Sequence, residues 1–460
     1  MLAFASCVWD TEIDMGNGSD ATVTFTIQVP GASNPAPRAL SAADENAVTQ
    51  VDVLLFAQGS GGLFRERATS TSITPGGSPN EKSFTVRLSV GDWDMVVLAN
   101  ASDVISATTL GGRTKAEVMA ALTRSLPTGD KWIANTSSGD YKAIPLWGDV
   151  GNKTIDLISG MSGSSQVSMT RMLASVDVQV TGTAASKFKI MSVDVYNYNT
   201  QGALAPAAAN WNAGTGIATA PTVAGTLTKG PLVYNGAQID GTNNRCLGEI
   251  YIFEAENHTT GGHTTPKGLT DRTCLVVGGK YDSDGDNDFD EEAVTYYRVD
   301  FSTTTTQYDI LRNHKYTVSI TNVSAAGAGD SETAFSAAPV NIEATVVAWD
   351  EKGPGNILIE GQYRFSVSQG EFAIASTATT DNLTIKTDVP GGWTATVHND
   401  LAGNTAHSPV WLTLSASSST TPVTGDNITL TTTANIGAAR TAYIHIKAGR
   451  FTYVVKVTQQ

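Results

Sequence analysis

The chain has 460 residues, of which 41% are hydrophobic and only 16% are charged, and its formal net charge is −15. This length is enough for about three domains of roughly 150 residues each. The acidic balance offers no basic surface for nucleic-acid phosphates or anionic lipids, which excludes general binding to either. Few charges together with frequent Thr, Val and Gly predict an all-β protein of many short strands.

The first segment contains a cysteine that follows small residues. Ala5 and Ser6 precede Cys7, as at the cleavage site of a bacterial lipoprotein signal, although only six residues come before the cysteine. We predict that Cys7 is lipidated and that the acidic and Gly/Ser-rich residues after it form a tether. No stretch reaches the ~18 apolar residues of a membrane span, so membrane attachment is expected only through lipid.

The next segment predicts a strand followed by a break. Residues Ala21–Val29 alternate strictly, which predicts a half-buried strand. The apolar positions on its buried face are Val23, Phe25, Ile27 and Val29. A linker rich in Pro, Gly, Asn and Ser runs from Pro30 to Pro37 and is followed by Arg38 and Ala39. A strand cannot propagate through such a linker.

Two further stretches continue the strand pattern. The first contains the predicted strands Val48–Ala57, Lys82–Leu88 and Trp93–Asn100. Thr114 and Glu117 form a capping box that predicts a short helix to about Leu126. The second contains the predicted strands Ser168–Val180, Lys189–Tyr198, Glu249–Phe253, Cys274–Val277, Val294–Phe301, Tyr316–Thr321 and Val340–Val347. The Ala-, Gly- and Asn-rich segment Thr200–Gly236 predicts an insertion rather than core.

A last stretch follows the break at Gly353–Gly355. Its predicted strands are Asn382–Thr387, Trp393–His398, Trp411–Ser415, Asn427–Thr432, Thr441–Lys447 and Tyr453–Thr458. About seven strands in about a hundred residues are typical of a β-sandwich. Trp393 and Trp411 lie on these strands, and we interpret them as core residues rather than platforms for sugar rings.

The sharpest local signal is an acidic run in the second stretch. Carboxylates recur at every second position at Asp282, Asp284, Asp286 and Asp288, with Gly and Asn between them. Such an oxygen-rich turn suits calcium, although the spacing does not match an EF-hand. The alternative is a solvated acidic loop of a hairpin without a metal.

Catalytic motifs are not found in the sequence. There is no nucleophile elbow, no HExxH, no Walker loop and no GxGxxG. We therefore predict that the protein is not an enzyme.

The residues before Tyr316 carry a more specific motif. Ile310–Tyr316 reads Ile-Leu-Arg-Asn-His-Lys-Tyr, follows Tyr296–Phe301 and precedes an alternating strand, and Trp349 lies shortly after that stretch. This arrangement resembles the C-terminal domain of the Bacteroidales fimbrillins, in which an Arg-Asn-His-x-Tyr element opens a core strand. Weaker matches follow the family's order at Glu45-Asn46, Gly91–Trp93, Leu98–Asn100, Ile144–Leu146 and Arg171–Val176. His314 is interpreted as a structural part of this element.

The resemblance implies assembly by strand exchange. In that family a trypsin-like protease cuts after an arginine, the first strand leaves, and the open groove accepts a strand from the next subunit. Arg38-Ala39 matches this site, on a linker where proteolysis is physically easy, and Ala21–Val29 would be the strand that leaves. The alternative is that Ala21–Val29 is a permanent edge strand and that Arg38 is a solvated linker residue.

The end of the chain departs from the fimbrillin pattern. Stalk subunits finish with a short donor tail, whereas here a whole predicted domain follows Trp349. It resembles the BACON module of Bacteroidetes surface proteins at Trp411-Leu412, Gly425, Asn435–Gly437, Arg440–Ile446 and Val457–Gln459. A subunit of this kind would accept a strand without giving one, and would end the fibre at its distal tip.

The predicted organisation has four parts. Residues 1–38 hold the leader, the lipobox-like cysteine and the removable strand. Two fimbrillin-type, transthyretin-like β-sandwich domains follow at 39–165 and 166–354, and an Ig-like, BACON-like β-sandwich at 360–460.

The predicted function is that of an exported fimbrial subunit at the outer membrane surface that mediates adhesion. Its expected partners are other fimbrial subunits, a trypsin-like processing protease, and a host or bacterial glycan or protein receptor. No cofactor is expected, apart from calcium in the acidic run. The alternative is a surface lipoprotein that never polymerises and binds glycan through the BACON-like domain.

Overall fold

The computed structural model describes residues 20–30, 45–59, 61–76, 81–126, 131–134, 138, 140–158, 160–162, 165–213, 217–259, 265–302, 307–350, 357–360, 363–387, 389, 391–401, 409–420, 426–449 and 451–460. At 347–350, 357–360, 363, 364 and 451 the description covers the main chain only. Within these ranges the chain forms pairs of β-sheets with a few short helices, so the predicted all-β fold class is confirmed. No described helix has the length and apolar character needed to cross a membrane.

The first sandwich is built from residues 20–171. Its strands are β1 (Asp20–Gln28), β2 (Val51–Ala57), β3 (Phe64–Ser70), β4 (Ile73–Pro75), β5 (Glu81–Ser89), β6 (Gly91–Ala99), β7 (Thr123–Ser125), β8 (Leu146–Asp156), β9 (Gly160–Met161), β10 (Gln166–Ser168) and β11 (Thr170–Arg171). One sheet has the order β10-β1-β5-β4, and the other has the order β11-β8-β6-β2-β3 with β9 paired to β8. Apolar side chains at every second position meet between the sheets, among them Phe25, Leu55 and Val97.

The second of these sheets is buried on both faces, which explains why β2 is a nearly continuous apolar run. Leu54 and Val96 point away from the first sheet and belong to a different core cluster. Two helices, α1 (Ser102–Ala107) and α2 (Lys115–Ala121), contribute Ile105 and Val118 to that cluster. Through these contacts the first sandwich shares a continuous apolar core with the residues that follow it.

The predicted capping box opens α2. The Thr114 side chain accepts a hydrogen bond from the Glu117 main-chain N–H, and the Glu117 carboxylate accepts one from the Thr114 N–H. The helix ends at Ala121 and does not reach Leu126, because residues 123–125 pair instead with residues 201–203. Pairing with a distant strand has overridden the local preference for helix.

The second sandwich is built from residues 174–350. Its strands are β12 (Ala174–Val180), β13 (Phe188–Tyr196), β14 (Tyr198–Asn199), β15 (Gln201–Ala203), β16 (Trp211–Asn212), β17 (Ile217–Ala218), β18 (Leu227–Thr228), β19 (Leu232–Asn235), β20 (Arg245–Ile252), β21 (Cys274–Tyr281), β22 (Val294–Asp300), β23 (His314–Val323) and β24 (Ile342–Asp350), with helix α3 (Ser331–Ser336) and 3-10 turns at Gly182–Ser186, Ala208–Asn210, Gly236–Gln238 and Leu269–Asp271. The two main sheets have the orders β20-β12-β23-β24 and β19-β13-β21-β22.

The expectation that Thr200–Gly236 is an insertion outside the core is wrong for part of that segment. Strand β19 pairs with β13 at the edge of a main sheet, and its Tyr234 is fully buried. Leu204 is also buried in the shared core. The Ala- and Gly-rich composition conceals these positions, because single apolar residues separated by small ones show no clear period.

The third sandwich is built from residues 357–459. Its strands are β25 (Ile357–Glu360), β26 (Tyr363–Val367), β27 (Glu371–Ile374), β28 (Thr379–Thr387), β29 (Trp393–His398), β30 (Leu412–Leu414), β31 (Ser418–Ser419), β32 (Asp426–Thr432), β33 (Arg440–Ala448) and β34 (Phe451–Gln459). The sheets have the orders β25-β26-β28-β32-β30 and β27-β34-β33-β29-β31. Their facing side chains, including those of Trp393 and Trp411, form a core cluster of their own.

Candidate functional site

The predicted removable strand is β1, and its apolar face is fully buried. Ala21, Val23, Phe25, Ile27 and Val29 are each at most 4% exposed. The Phe25 ring stacks on Phe84 of β5 at a centroid distance of 5.3 Å. On the opposite face Thr24 is exposed and lies 3.1 Å from the hydroxyl of Thr85. Strand β1 is therefore amphipathic. Its apolar face completes the core of the first sandwich, and its polar face lies toward solvent.

The pairing of β1 differs along its two sides. One side pairs with β5 in antiparallel register from Asp20 to Gln28. The other side pairs with β10, in parallel register, only at Thr26–Gln28. The alternative prediction of an edge strand therefore holds only for residues 20–25, among the strands that the structure describes. If β1 were absent, a slot would open between β5 and β10.

A buried arginine holds both ends of the segment that follows β1. The guanidinium of Arg171 is 2% exposed and donates to the carbonyl oxygen of Pro30 at 3.3 Å and to Oδ1 of Asn46 at 2.6 Å. Glu45 is fixed as well, since it accepts a hydrogen bond from the Tyr251 hydroxyl at 3.2 Å. The main chain on each side of residues 31–44 is thus anchored to the folded protein.

The predicted processing residues Arg38 and Ala39, and the predicted lipidation residue Cys7, lie outside the described part of the chain. Residues 31–44 contain Arg38 as their only Lys or Arg. A trypsin-like enzyme acting on this segment therefore has a single basic residue to recognise.

The Arg-Asn-His-x-Tyr element connects separate buried segments of the fold through hydrogen bonds. The Arg312 guanidinium donates to Oε2 of Glu254 at 2.6 Å, and both side chains are at most 2% exposed. Asn313 adopts a left-handed backbone with φ of 57° and accepts a hydrogen bond from the Arg171 main-chain N–H. His314 lies with Nδ1 2.8 Å from the Arg312 carbonyl oxygen, at the first residue of β23. The interpretation of His314 as structural agrees with this geometry.

The acidic run forms the connection between β21 and β22. The structure brings together carboxylate oxygens of Asp282, Asp284 and Glu292, all within 4.8 Å of one another. Asp286 and Asp288 do not join this group, and each accepts a hydrogen bond from the main-chain N–H two residues later. The predicted set of four aspartates is therefore replaced by a set of three carboxylates. Glu292 was missed because its approach depends on the path of the loop.

Burial raises the pKa of several titratable groups of the second sandwich. Burial raises the pKa of Glu249 to about 7, against the opposing influence of Lys131 and Gln238. Burial also raises the pKa of Cys274 to about 12 and that of Cys246 still further. The thiolate is the nucleophilic form of cysteine, so neither thiol is activated for covalent chemistry.

In the third sandwich both tryptophans are buried, with Trp393 at 1% and Trp411 at 8% exposure. Trp393 donates from Nε1 to Asp426 at 2.9 Å, and the Arg440 guanidinium lies 4.6 Å from the ring centre of Trp411. Neither indole offers an open face to a sugar. The interpretation of both as core residues agrees with the structure.

Comparison with known proteins gives two family matches. Residues 17–353 match the family described as fimbrillin-A associated anchor proteins Mfa1 and Mfa2, and residues 398–460 match the BACON domain, described as a proposed binding domain. No curated protein sequence is significantly similar to the chain.

Two solved structures with similar folds are proposed cell adhesion proteins. One is from Parabacteroides distasonis ATCC 8503, with 16% identity, a TM-score of 0.46, and coverage of 72% of this chain and 99% of that chain. The other is from Bacteroides eggerthii DSM 20697, with 16% identity, a TM-score of 0.41, and coverage of 73% and 98%.

The first testable prediction concerns the buried pair of Arg312 and Glu254. Replacing Arg312 by Met leaves the Glu254 carboxylate buried without its partner, which should lower the free energy of unfolding by about 3–5 kcal/mol. The double variant Arg312→Met with Glu254→Gln should lose less than the sum of the two single variants. Denaturant unfolding followed by circular dichroism measures both effects.

The matched control is Lys456→Met, which removes a largely exposed ion pair with Glu371. Exposed pairs contribute little, so this variant should unfold at nearly the same denaturant concentration as the parent. Additive losses in the double variant would contradict the coupling of Arg312 to Glu254.

Proposed function

Because the chain belongs to the family of fimbrillin-A associated anchor proteins Mfa1 and Mfa2 and carries a C-terminal BACON domain, we propose that it is a fimbrial subunit assembled by exchange of its first strand. Membership of this family supports association with other fimbrial subunits and a surface-exposed location. The observation that carries the exchange mechanism is the buried apolar face of β1, next to the segment that contains Arg38.

The energy of β1 binding explains why a cut is needed. Burial of four large apolar side chains, those of Val23, Phe25 and Ile27 in β1 and of Val29 directly after it, at about 1.5–3 kcal/mol each, contributes about 6–12 kcal/mol. That amount is comparable with the whole stability of a typical domain, so an intact β1 would seldom leave by itself. A cut within residues 31–44 separates β1 from the rest of the chain, and a competing strand with the same pattern then replaces it at little net cost.

The Arg171 contacts would keep the rest of the chain in place while β1 is exchanged. After a cut at Arg38, the bond of Arg171 to the Pro30 carbonyl leaves with β1, whereas its bond to Asn46 and the bond of Tyr251 to Glu45 remain. The new N-terminal segment is therefore held beside the groove and does not carry β2 away with it. In this proposal the cutting enzyme is a trypsin-like protease, and a lipid on Cys7 holds the precursor at the outer membrane.

We further propose that the subunit occupies a fibre end. Strand β24 pairs with β23 along its length, and β34 lies between β27 and β33. Donation of either strand would require opening its own sheet. A subunit that accepts a strand and gives none ends the fibre, and we assign it to the distal tip. The family's description as anchor proteins supplies the alternative, the end nearest the cell.

We also propose that the loop of Asp282, Asp284 and Glu292 binds calcium. Three carboxylates with oxygens this close repel one another, and a hard divalent cation removes that repulsion while accepting oxygen ligands. The Ser283 N–H and hydroxyl both bond to Glu292, which holds that carboxylate over the turn.

Strand exchange is tested with the precursor, trypsin and a labelled peptide of residues 20–30. Trypsin should cut after Arg38, giving a new N-terminus at Ala39, and the cut protein alone should bind the peptide. N-terminal sequencing and fluorescence anisotropy measure the two steps. An Arg38→Gln precursor is the control for the cut, and a peptide with Phe25→Ala and Ile27→Ala is the control for the groove. Failure of the cut protein to take up the parent peptide would contradict strand exchange.

The position in the fibre is tested by gold labelling of residues 360–460 on intact bacteria, viewed by electron microscopy. Label at distal ends is the expected result. Label along the shafts would contradict a terminal position, and label only at the cell surface would favour the anchoring end.

Calcium binding is tested by thermal unfolding in EDTA and in about 10 mM calcium, well above the ~10⁻³ M affinity of weak extracellular sites. The unfolding temperature should rise by several degrees with calcium, because a ligand that binds only the folded state stabilises it. The double variant Asp284→Asn with Glu292→Gln should lose this rise. An equal rise in parent and variant would contradict a site at these residues.

A further inference from the structure

A cavity of about 780 Å³ lies at the junction of the first two sandwiches. We name it the junction cleft and define it by helix α2, residues 57, 59, 61 and 62, Asp94, Trp147, Asp149, and the segments 203–213 and 222–224. Its size falls within the range of about 300–1,000 Å³ that is usual for small-molecule sites. The site lies away from β1, from the acidic loop and from the third sandwich.

The walls of the junction cleft consist mainly of small apolar residues. Ala116, Met119 and Ala120 share one face of α2, since they are three and four residues apart. Ala203, Ala205 and the run Ala207-Ala208 also line the cleft and form its alanine wall. Small side chains leave the space that a larger residue would fill, and they present a smooth apolar surface.

Two tryptophans contribute to the lining. The rings of Trp147 and Trp211 lie edge to face with centroids 5.3 Å apart. Trp147 is only 5% exposed, and its indole Nε1 has no hydrogen-bond partner among the described residues. Buried indole N–H groups normally have a partner, because an unmatched buried donor costs about 1–3 kcal/mol. The Nε1 atom is itself inaccessible to solvent, so Trp147 contributes ring surface rather than a hydrogen-bond donor to the cleft.

Charged groups lie on the same lining. The Lys115 ammonium donates to Asp94 at 2.6 Å and to Asp149 at 2.8 Å, and all three side chains are partly exposed. These three side chains place one ammonium donor and two carboxylate acceptors within a few ångströms of one another. Two carboxylates against one ammonium give the lining a net negative charge, which disfavours an anionic ligand.

The buried Arg312–Glu254 pair holds the wall in place. Arg312 donates to the carbonyl oxygens of Ala203 and Leu204, and Glu254 accepts from the Thr222 N–H at 3.2 Å. Both segments of the far wall are therefore tied to one rigid ion pair in the core. A site formed before the ligand arrives loses less entropy on binding.

We propose that the junction cleft binds a neutral sugar, as a ring within a short oligosaccharide. The C–H face of a pyranose packs against Trp211 and the alanine residues of the lining, and its hydroxyls donate to Asp94 and Asp149 and accept from Lys115. An apolar peptide would leave the charged side chains of Lys115, Asp94 and Asp149 unused. The inference goes beyond fimbrial assembly, because a chain that never exchanged its strand would bind the sugar equally well.

The test is isothermal titration of the full chain with maltotriose, cellotriose and xylotriose, with trigalacturonic acid as an anionic comparison. At least one neutral trisaccharide should bind, and the anionic one should bind more weakly. Trp211→Ala should weaken binding by about tenfold or more, whereas Trp211→Phe should retain most of it. Asp149→Asn tests the polar side of the site without removing an apolar side chain.

The control is Trp411→Phe in the third sandwich, which should bind as the parent does. Loss of binding in this variant with full binding in Trp211→Ala would move the sugar site to the BACON domain and overturn the proposal. It would also be overturned if no neutral trisaccharide bound at about 10 mM, or if an alanine-rich peptide bound and the sugars did not. Circular dichroism of each variant confirms that it is folded.

Discussion

The first sandwich has a complete core only when an apolar strand fills the place of β1. Four inward side chains of that strand and Val29 directly after it are almost inaccessible to water, and Phe25 stacks directly on Phe84 of the neighbouring strand. The other structural features follow from this requirement. The polar Thr face can lie in solvent, Arg171 fixes the main chain at Pro30, and Tyr251 fixes Glu45.

A second constraint comes from the charges buried between the first two sandwiches. Arg171 and Arg312 are both nearly inaccessible, and the main-chain N–H of the first donates to the side chain of Asn313 beside the second. Burial of a guanidinium is unfavourable unless its donors are matched. Here the partners come from four separate parts of the chain, namely Pro30, Asn46, residues 203–204 and Glu254. These segments must therefore adopt their relative positions together.

Much of this architecture could be predicted from the sequence, and there are physical reasons why the remaining elements could not. Strict alternation located β1 within one residue at each end, and β29 spans the predicted Trp393–His398. Strand β8 was not predicted, because its Gly-Asp-Val-Gly-Asn-Lys centre is polar and its pairing with β6 is set by distant contacts. Glu292 and the junction cleft also escaped prediction. Both depend on residues far apart in sequence, whose approach no local pattern encodes.

The mixed pairing of β1 has a consequence for larger assemblies. Its neighbours run in fixed directions, antiparallel at β5 and parallel at β10. A strand inserted the other way round would have to change the hydrogen-bond pattern on both sides at once. A polypeptide that took the place of β1 and kept both pairings would therefore have to run in the same direction as β1, so the contact it made would be polar.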